Sequence, residues 1–318
     1  MPRARRHSSP SVRQYSAAPK LAPPKQRLDE LAISIALLLC LVWGVQQVAS
    51  KVSITEGIPP FFQAVIRSAV AGVLLLGWIR LRSGHQGLVE LAARDRSWMP
   101  GLLTAGLFAV EFLLLFRGVQ LTSASRAVVL LFTGPFFTAI GTHLFVPGER
   151  LRPIHVVGLL VAFAGVAVTM ADSGDGSLLG DAMVLGVAVG WGLTTVVVKA
   201  SPALRAVSPE RVLAYQLWGS LPLLAVAAAL AGELGWPQAT ALAWAGVAYQ
   251  CVVVCFASYL TWFWLIARYP AGRLAAFTFL TPLLGVLAAW LLLGEPLSPT
   301  LFLGLLCVGV GLRLVNRA

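Results

Sequence analysis

Apolar runs of about 20 residues, separated by polar links, follow one another along the chain from residue 29 to residue 315. That is the length a helix needs to cross a bilayer, and few of the runs contain a charge. Reading them between loop signals gives ten spans, at 29–50, 59–80, 98–119, 122–146, 153–171, 180–200, 209–231, 240–268, 272–293 and 299–315. The alternating segments of a transmembrane barrel do not occur in the sequence. The pattern therefore predicts an all-α polytopic membrane protein of ten transmembrane helices. The eighth span is long enough to tilt strongly or to hold an interfacial turn. The stretch 82–97 is expected as the longest loop, and the other links are short enough to make successive helices antiparallel neighbours.

Composition agrees with a bilayer protein. Of 318 residues 58% are hydrophobic and 12% charged, where a soluble domain carries about 25% charged residues. Mean hydropathy is +0.82. A net charge of +11 suggests a nucleic-acid partner, but the placement of the charges excludes it. Seven basic residues crowd residues 1–28, a Pro-, Ser- and Ala-rich stretch expected to be a disordered cytoplasmic tail. The first apolar run is span-length and lacks an A-x-A-like end, so a cleavable signal is not expected. With the N-terminus inside, 20 Lys and Arg fall on the inner side and 3 on the outer, while residues 172–181 are purely acidic. That imbalance predicts a multi-pass protein of a cell inner membrane with both termini cytoplasmic.

The chain also repeats itself. Gly148-Glu149-Arg150-Leu151-Arg152-Pro153 recurs as Gly294-Glu295-Pro296-Leu297-Ser298-Pro299. Each copy is followed at equal spacing by Gly-Leu-Leu (Gly158, Gly304) and a further glycine (Gly165, Gly311). Trp43-Gly44 with Lys51 recurs as Trp191-Gly192 with Lys199, and Arg126 and Pro135 recur as Arg273 and Pro282. The predicted units are residues 29–171 and 180–315, joined by an external linker at 172–179. Five spans per unit is an odd number, so the two repeats must be inverted. Lys51 and Lys199, Arg126 and Arg273, and Glu149 and Glu295 then lie at opposite membrane faces, as matching gate elements or as side chains reaching for headgroups.

In their order and spacing these residues resemble the EamA-type domain of the drug/metabolite transporter superfamily. The first copy matches through Trp43-Gly44, Arg67, Pro135, Gly148-Glu149, Gly158 and Gly165. The second matches through Trp191-Gly192, Pro282, Gly294-Glu295, Gly304 and Gly311. The resemblance spans about residues 30 to 315. It implies an inner-membrane exporter or exchanger of small metabolites, with a central cavity between the repeats. Leu131-Phe132-Thr133-Gly134-Pro135 is similar to the amino-acid exporters of that family.

Candidate chemistry is sparse. Pro135 and Pro282 each lack an amide donor and clash with the carbonyl four residues earlier, at Leu131 and Thr278, which predicts kinks and cavity lining. Arg67 and Glu111 are the clearly intramembrane charges, at equal estimated depth, and are expected to pair. Glu111 is the natural proton carrier, since a carboxyl group within a span is costly to keep charged. Trp43, Gln47, Trp191, Thr195, Tyr215 and Tyr259 complete the set expected to line the substrate cavity. Cys40, Cys251, Cys255 and Cys307 sit in apolar runs as packing residues. No H-E-x-x-H or P-loop motif occurs, so neither a resident cofactor nor an ATP-driven cycle is expected.

The sequence thus points to a secondary transporter, not an enzyme. Its expected partners are a small-molecule substrate, the lipid bilayer and a coupling proton, and its assembly is a monomer or homodimer. A membrane-embedded lipid or isoprenoid enzyme and a non-transporting accessory subunit are the alternatives.

Overall fold

The computed structural model describes residues 29–147, 151–171, 176–266, 269, 277–278 and 280–315. Calls on Glu149, Arg273, the linker acids at 172 and 175 and the tail 1–28 lie outside them. Among the described residues the structure is helical, without strands. The helices are α1 (Glu30–Thr55), α2 (Pro60–Ala92), α3 (Trp98–Leu121), α4 (Ala124–Leu131), α5 (Gly134–Phe145), α6 (Pro153–Ala171) and α7 (Leu178–Ala200). After the short α8 (Pro202–Arg205) come α9 (Pro209–Leu230) and α10 (Ala241–Ala248). A π-helical segment, Tyr249–Ser258, leads into α11 (Tyr259–Ile266), followed by α12 (Leu280–Leu293) and α13 (Pro299–Val315). Seven spans among the described residues are long and apolar enough to cross a membrane, and three shorter apolar helices make up ten.

The helices begin where the sequence supplies a cap. Asp29, Ser123, Ser177, Ser208 and Thr240 each accept a backbone amide with their side chain at the start of α1, α4, α7, α9 and α10. Such caps stabilise a helix end by about 1 kcal/mol each. Outward faces are apolar, with Leu38, Leu41, Val73, Leu103, Val226, Leu291 and Phe302 exposed. Gln47, Ser50, Gln63, Arg67, Thr104 and Gln250 are buried instead. Apolar side chains outside and polar ones inside is the distribution that lipid imposes.

Two expectations need correction. Most of the stretch 82–97 is helical, because α2 runs on to Ala92 through a break at Gly84, whose φ of 63° a residue with a Cβ adopts only with strain. The fourth span is broken into α4 and α5 around Phe132 and Thr133, more than the expected kink. Pro135 has no amide to donate and its ring crowds the Leu131 carbonyl, and Phe136 N takes the Thr133 carbonyl at 2.9 Å as a new helix starts.

The repeats interlock. The first helix of each unit leaves its own repeat, so that α1 packs on α12 and on α10 with the π segment, while α7 packs on α3, α4 and α5. The last helices, α6 and α13, pack along each other. A Cβ on Gly165 would stand 2.8 Å from the Gly304 carbonyl, and one on Gly311 would stand 2.5 Å from that of Gly158. Gly158 and Gly304 are repeat mates, as are Gly165 and Gly311. The contact therefore maps onto itself under a two-fold axis lying across antiparallel helices, which is the inverted arrangement that five spans per repeat requires. The recurring glycines build this crossing, since only small residues let two helix backbones come so close.

Candidate functional site: a cavity between the repeats

Between the repeats lies a cavity of 790 Å³. It is lined from α1 by Trp43, Gln46 and Gln47, from α3 by Phe108, Glu111, Phe112 and Leu115, and from the α4–α5 break by Leu131, Phe132 and Pro135. Trp191, Thr194, Thr195 and Lys199 of α7 face them, with Gln216, Tyr259, Trp262 and Thr278 from the second repeat. Helices α6 and α13 contribute none of the lining. One end of the cavity reaches the surface at the α7–α9 connection, where Lys199 and Arg205 are exposed and line its mouth.

The other end is tied shut. Lys51 Nζ donates to the carbonyls of Val119 (2.9 Å), Gln120 (3.1 Å) and Thr122 (2.7 Å), clamping α1 onto the end of α3. Those carbonyls carry the negative end of the α3 dipole, which favours a cation. Glu295 accepts from Ala124 N (2.7 Å), Ser125 N (2.8 Å) and Ser125 Oγ (2.6 Å), fastening the stretch after α12 to the positive end of α4. Asp181 of α7 binds the Arg126 guanidinium and accepts from Thr122 Oγ1 at 2.6 Å. The Gly-Glu element of the second repeat thus supplies a helix cap at the tied end of the cavity.

Seven of the ten expected cavity residues line this space: Trp43, Gln47, Glu111, Pro135, Trp191, Thr195 and Tyr259. Trp43 Nε1 donates to Ser258 Oγ (2.9 Å), and its ring meets Trp262 edge-on at 5.4 Å. Trp191 meets Phe132 edge-on at 6.0 Å. Pro282 is buried in the first turn of α12 and does not line the cavity, but Thr278, four residues before it, does, as Leu131 does before Pro135. Tyr215 lies elsewhere as well. Its hydroxyl sits 2.7 Å from Ser97 Oγ and accepts from Arg211 Nε at 3.2 Å. Neighbouring helical positions point about 100° apart, so Gln216 faces the cavity and Tyr215 the start of α3.

Arg67 does not pair with Glu111. The Glu111 carboxylate turns toward α7 and accepts from Thr194 Oγ1 at 2.6 Å. It lies flat there because residue 190 is glycine; a Cβ would stand 2.5 Å from Glu111 Cγ. Arg67 is 1% exposed and instead stacks on Phe112, with Cζ 3.9 Å from the ring centroid. Equal depth failed as a guide because Glu111 and Phe112 project from different sides of α3. The aromatic wall formed by Phe108, Phe112 and Phe132 was missed. Its signal was the i, i+4 pair Phe108 and Phe112 flanking the buried acid, whose rings lie 4.4 Å apart.

Two segments of the chain, residues 30–171 and 178–317, each match the EamA-like transporter family. The chain belongs to that family. It is a multi-pass membrane transporter rather than an enzyme. The chain is 30% identical over 300 residues to the uncharacterised transporter YvbV of Bacillus subtilis, covering 92% of each protein. It is 26% identical over 295 residues to a probable amino-acid metabolite efflux pump of Escherichia coli, covering 87% of this chain and 92% of that protein. A solved crystal structure at 24% identity superposes with a TM-score of 0.64, covering 90% of this chain and 97% of that one, and so shares the fold.

Proposed function

We propose that this EamA-family protein is a secondary transporter that exports or exchanges a small organic metabolite, amino-acid-like or drug-like, across the cell inner membrane. The observation that carries the reading is one cavity between inverted repeats, open at the Lys199 end and tied shut at the Lys51 end. Two halves related by a two-fold axis can exchange those roles, which is alternating access. Counting Lys and Arg puts the Lys199 end in the cytoplasm, so the cavity is poised to load from inside. Both termini then lie on that side. The printed name of the Escherichia coli relative, an amino-acid metabolite efflux pump, supports the outward direction and the amino-acid end of the substrate range.

The coupling ion in this reading is the proton and its carrier is Glu111. Among the described residues it is the only carboxylate lining the cavity, and Thr194 holds it in place. A flux assay in proteoliposomes with and without a pH gradient tests this. Glu111→Gln is expected to abolish uphill, pH-driven export while retaining downhill exchange, because the amide stands in for the protonated acid. Preserved uphill export in a well-folded Glu111→Gln protein removes the proton role.

A further inference from the structure

Four buried hydrogen-bond donor atoms of α2 make no hydrogen bond of good geometry. Arg67 Nε, Nη1 and Nη2 have no hydrogen-bond partner, and neither does Gln63 Nε2, one helical turn away on the same face. Gln63 is 0% exposed and Arg67 1%. The Gln63 Oε1 atom is committed, accepting from Gln250 Nε2 at 2.8 Å, while Gln250 Oε1 accepts from Ser50 at 3.0 Å. This web, joining α1, α2 and the π segment, fixes the Gln63 amide so that its free N–H points away from it. A buried guanidinium without a counter-ion is among the most costly arrangements a membrane interior can hold.

Among the described residues no carboxylate pairs with Arg67. Glu111 turns to α7, where it accepts from Thr194. Glu233 accepts from Phe61 N at 2.6 Å, and Glu295 caps α4. The groups that do face the guanidinium are the Phe112 ring, the Cys255 thiol and the Tyr259 hydroxyl. Phe112 and Tyr259 are themselves part of the cavity wall. Arg67 therefore stands directly behind that wall, one ring away from a bound molecule.

We propose that Arg67 and Gln63 form a carboxylate subsite that an amphiphilic substrate, an organic acid with an apolar body, fills when Phe112 swings aside. A guanidinium fork with an adjacent amide matches the two oxygens of a carboxylate, and such charge-assisted, bidentate pairs are the strong ones. The rest of the cavity is suited to the apolar part of the molecule, with Trp43, Phe108, Phe132, Trp191 and Trp262 around it. The inference rests on the transport reading for the role of the cavity, but binding alone decides it.

The experiment uses the full-length protein in nanodiscs and equilibrium binding of three probes: L-phenylalanine, 3-phenylpropionate and phenethylamine. The two acids are expected to bind more tightly than the amine. Arg67→Gln is expected to weaken both acids about tenfold to a hundredfold and leave the amine unchanged. Gln63→Glu keeps the acceptor for Gln250 while giving Arg67 an internal carboxylate. It is expected to raise the melting temperature and to abolish binding of 3-phenylpropionate. This second variant decides the matter if Arg67→Gln does not fold. The proposal is overturned if neither acid binds the wild-type protein, if the amine binds as tightly as the acids, or if Gln63→Glu destabilises the protein and spares acid binding. Acid binding that persists in a protein showing neither uphill flux nor downhill exchange would sink the transport reading and keep the subsite.

Discussion

Lys51→Met should release the closed end of the cavity. The methionine keeps the aliphatic stem and removes the ammonium group that binds the carbonyls of Val119, Gln120 and Thr122 at 2.7–3.1 Å. A hydrogen bond from a charged group contributes about 1.5–3 kcal/mol net. Here one half-buried charge serves three acceptors at a helix end, so the three bonds do not add, and about 2–4 kcal/mol is a fair total. Glu295 lies near enough to attract the same ammonium, which ties the two closing contacts together. At about 1.4 kcal/mol per tenfold, the loss shifts the balance between closed and open at this end by roughly thirtyfold to several hundredfold.

The readout is thiol accessibility. With the native cysteines replaced, Gln47→Cys places a reporter on the cavity wall. A membrane-impermeant maleimide applied from the Lys51 side of oriented vesicles then reports how often that end opens. Labelling should be slow in the parent and at least about tenfold faster with Lys51→Met. Lys199→Met, the same change at the repeat mate, should not speed labelling from the Lys51 side. Unchanged labelling in a folded Lys51→Met protein would show that the clamp does not hold the gate.

Two further outcomes follow from single contacts. Gly190→Ala puts a methyl group 2.5 Å from Glu111 Cγ and should push the carboxyl group off Thr194, lowering pH-driven flux with little change in melting temperature. At the surface beside Ser97, the Asp95 carboxyl is held below its usual range, first by the Ser97 hydroxyl, then by the Ser97 amide and by Arg211. A depressed acid contributes stability above its unfolded value of about 3.9 and loses it as the pH falls through the folded one. Asp95→Asn should therefore lower the melting temperature at pH 7, and the gap to wild type should close below about pH 4.

The sequence made the scaffold readable and left much of the site obscure, for physical reasons. Span length and inversion follow from hydropathy and an odd count of five, and both need only the chain's local pattern. The recurring glycines of the α6–α13 crossing were visible in the sequence, because so close a backbone approach calls for small residues. Contacts between helices depend on rotation about each helix axis, which depth does not encode. Arg67 and Glu111 were matched by depth, yet about 100° separates Glu111 from the Phe112 that meets Arg67. The Lys51 clamp was invisible for a related reason, since its acceptors are backbone carbonyls that carry no residue signature.

The repeats agree along the α6–α13 axis and at the paired lysines, and differ in the cavity. Lys51 and Lys199 are mates, and so are the glycines of the α6–α13 crossing, so the axis and the two lysine positions obey the two-fold. The candidate binding groups do not. Glu111 has Ser258 as its counterpart, and Ser258 receives Trp43 Nε1 where Glu111 receives Thr194. Arg67 has no cationic mate, because residues 213–217, displaced from it by 146 to 150 positions, are Leu, Ala, Tyr, Gln and Leu. A symmetric site would offer an asymmetric ligand two equal and opposite poses, and each pose would forgo half of the charged contacts. Symmetry serves the rocking motion, since both end states then use the same contacts and neither is far the more stable. Asymmetry in the cavity serves recognition, and it places the chemistry that distinguishes this transporter on α2 and α3 of the first repeat.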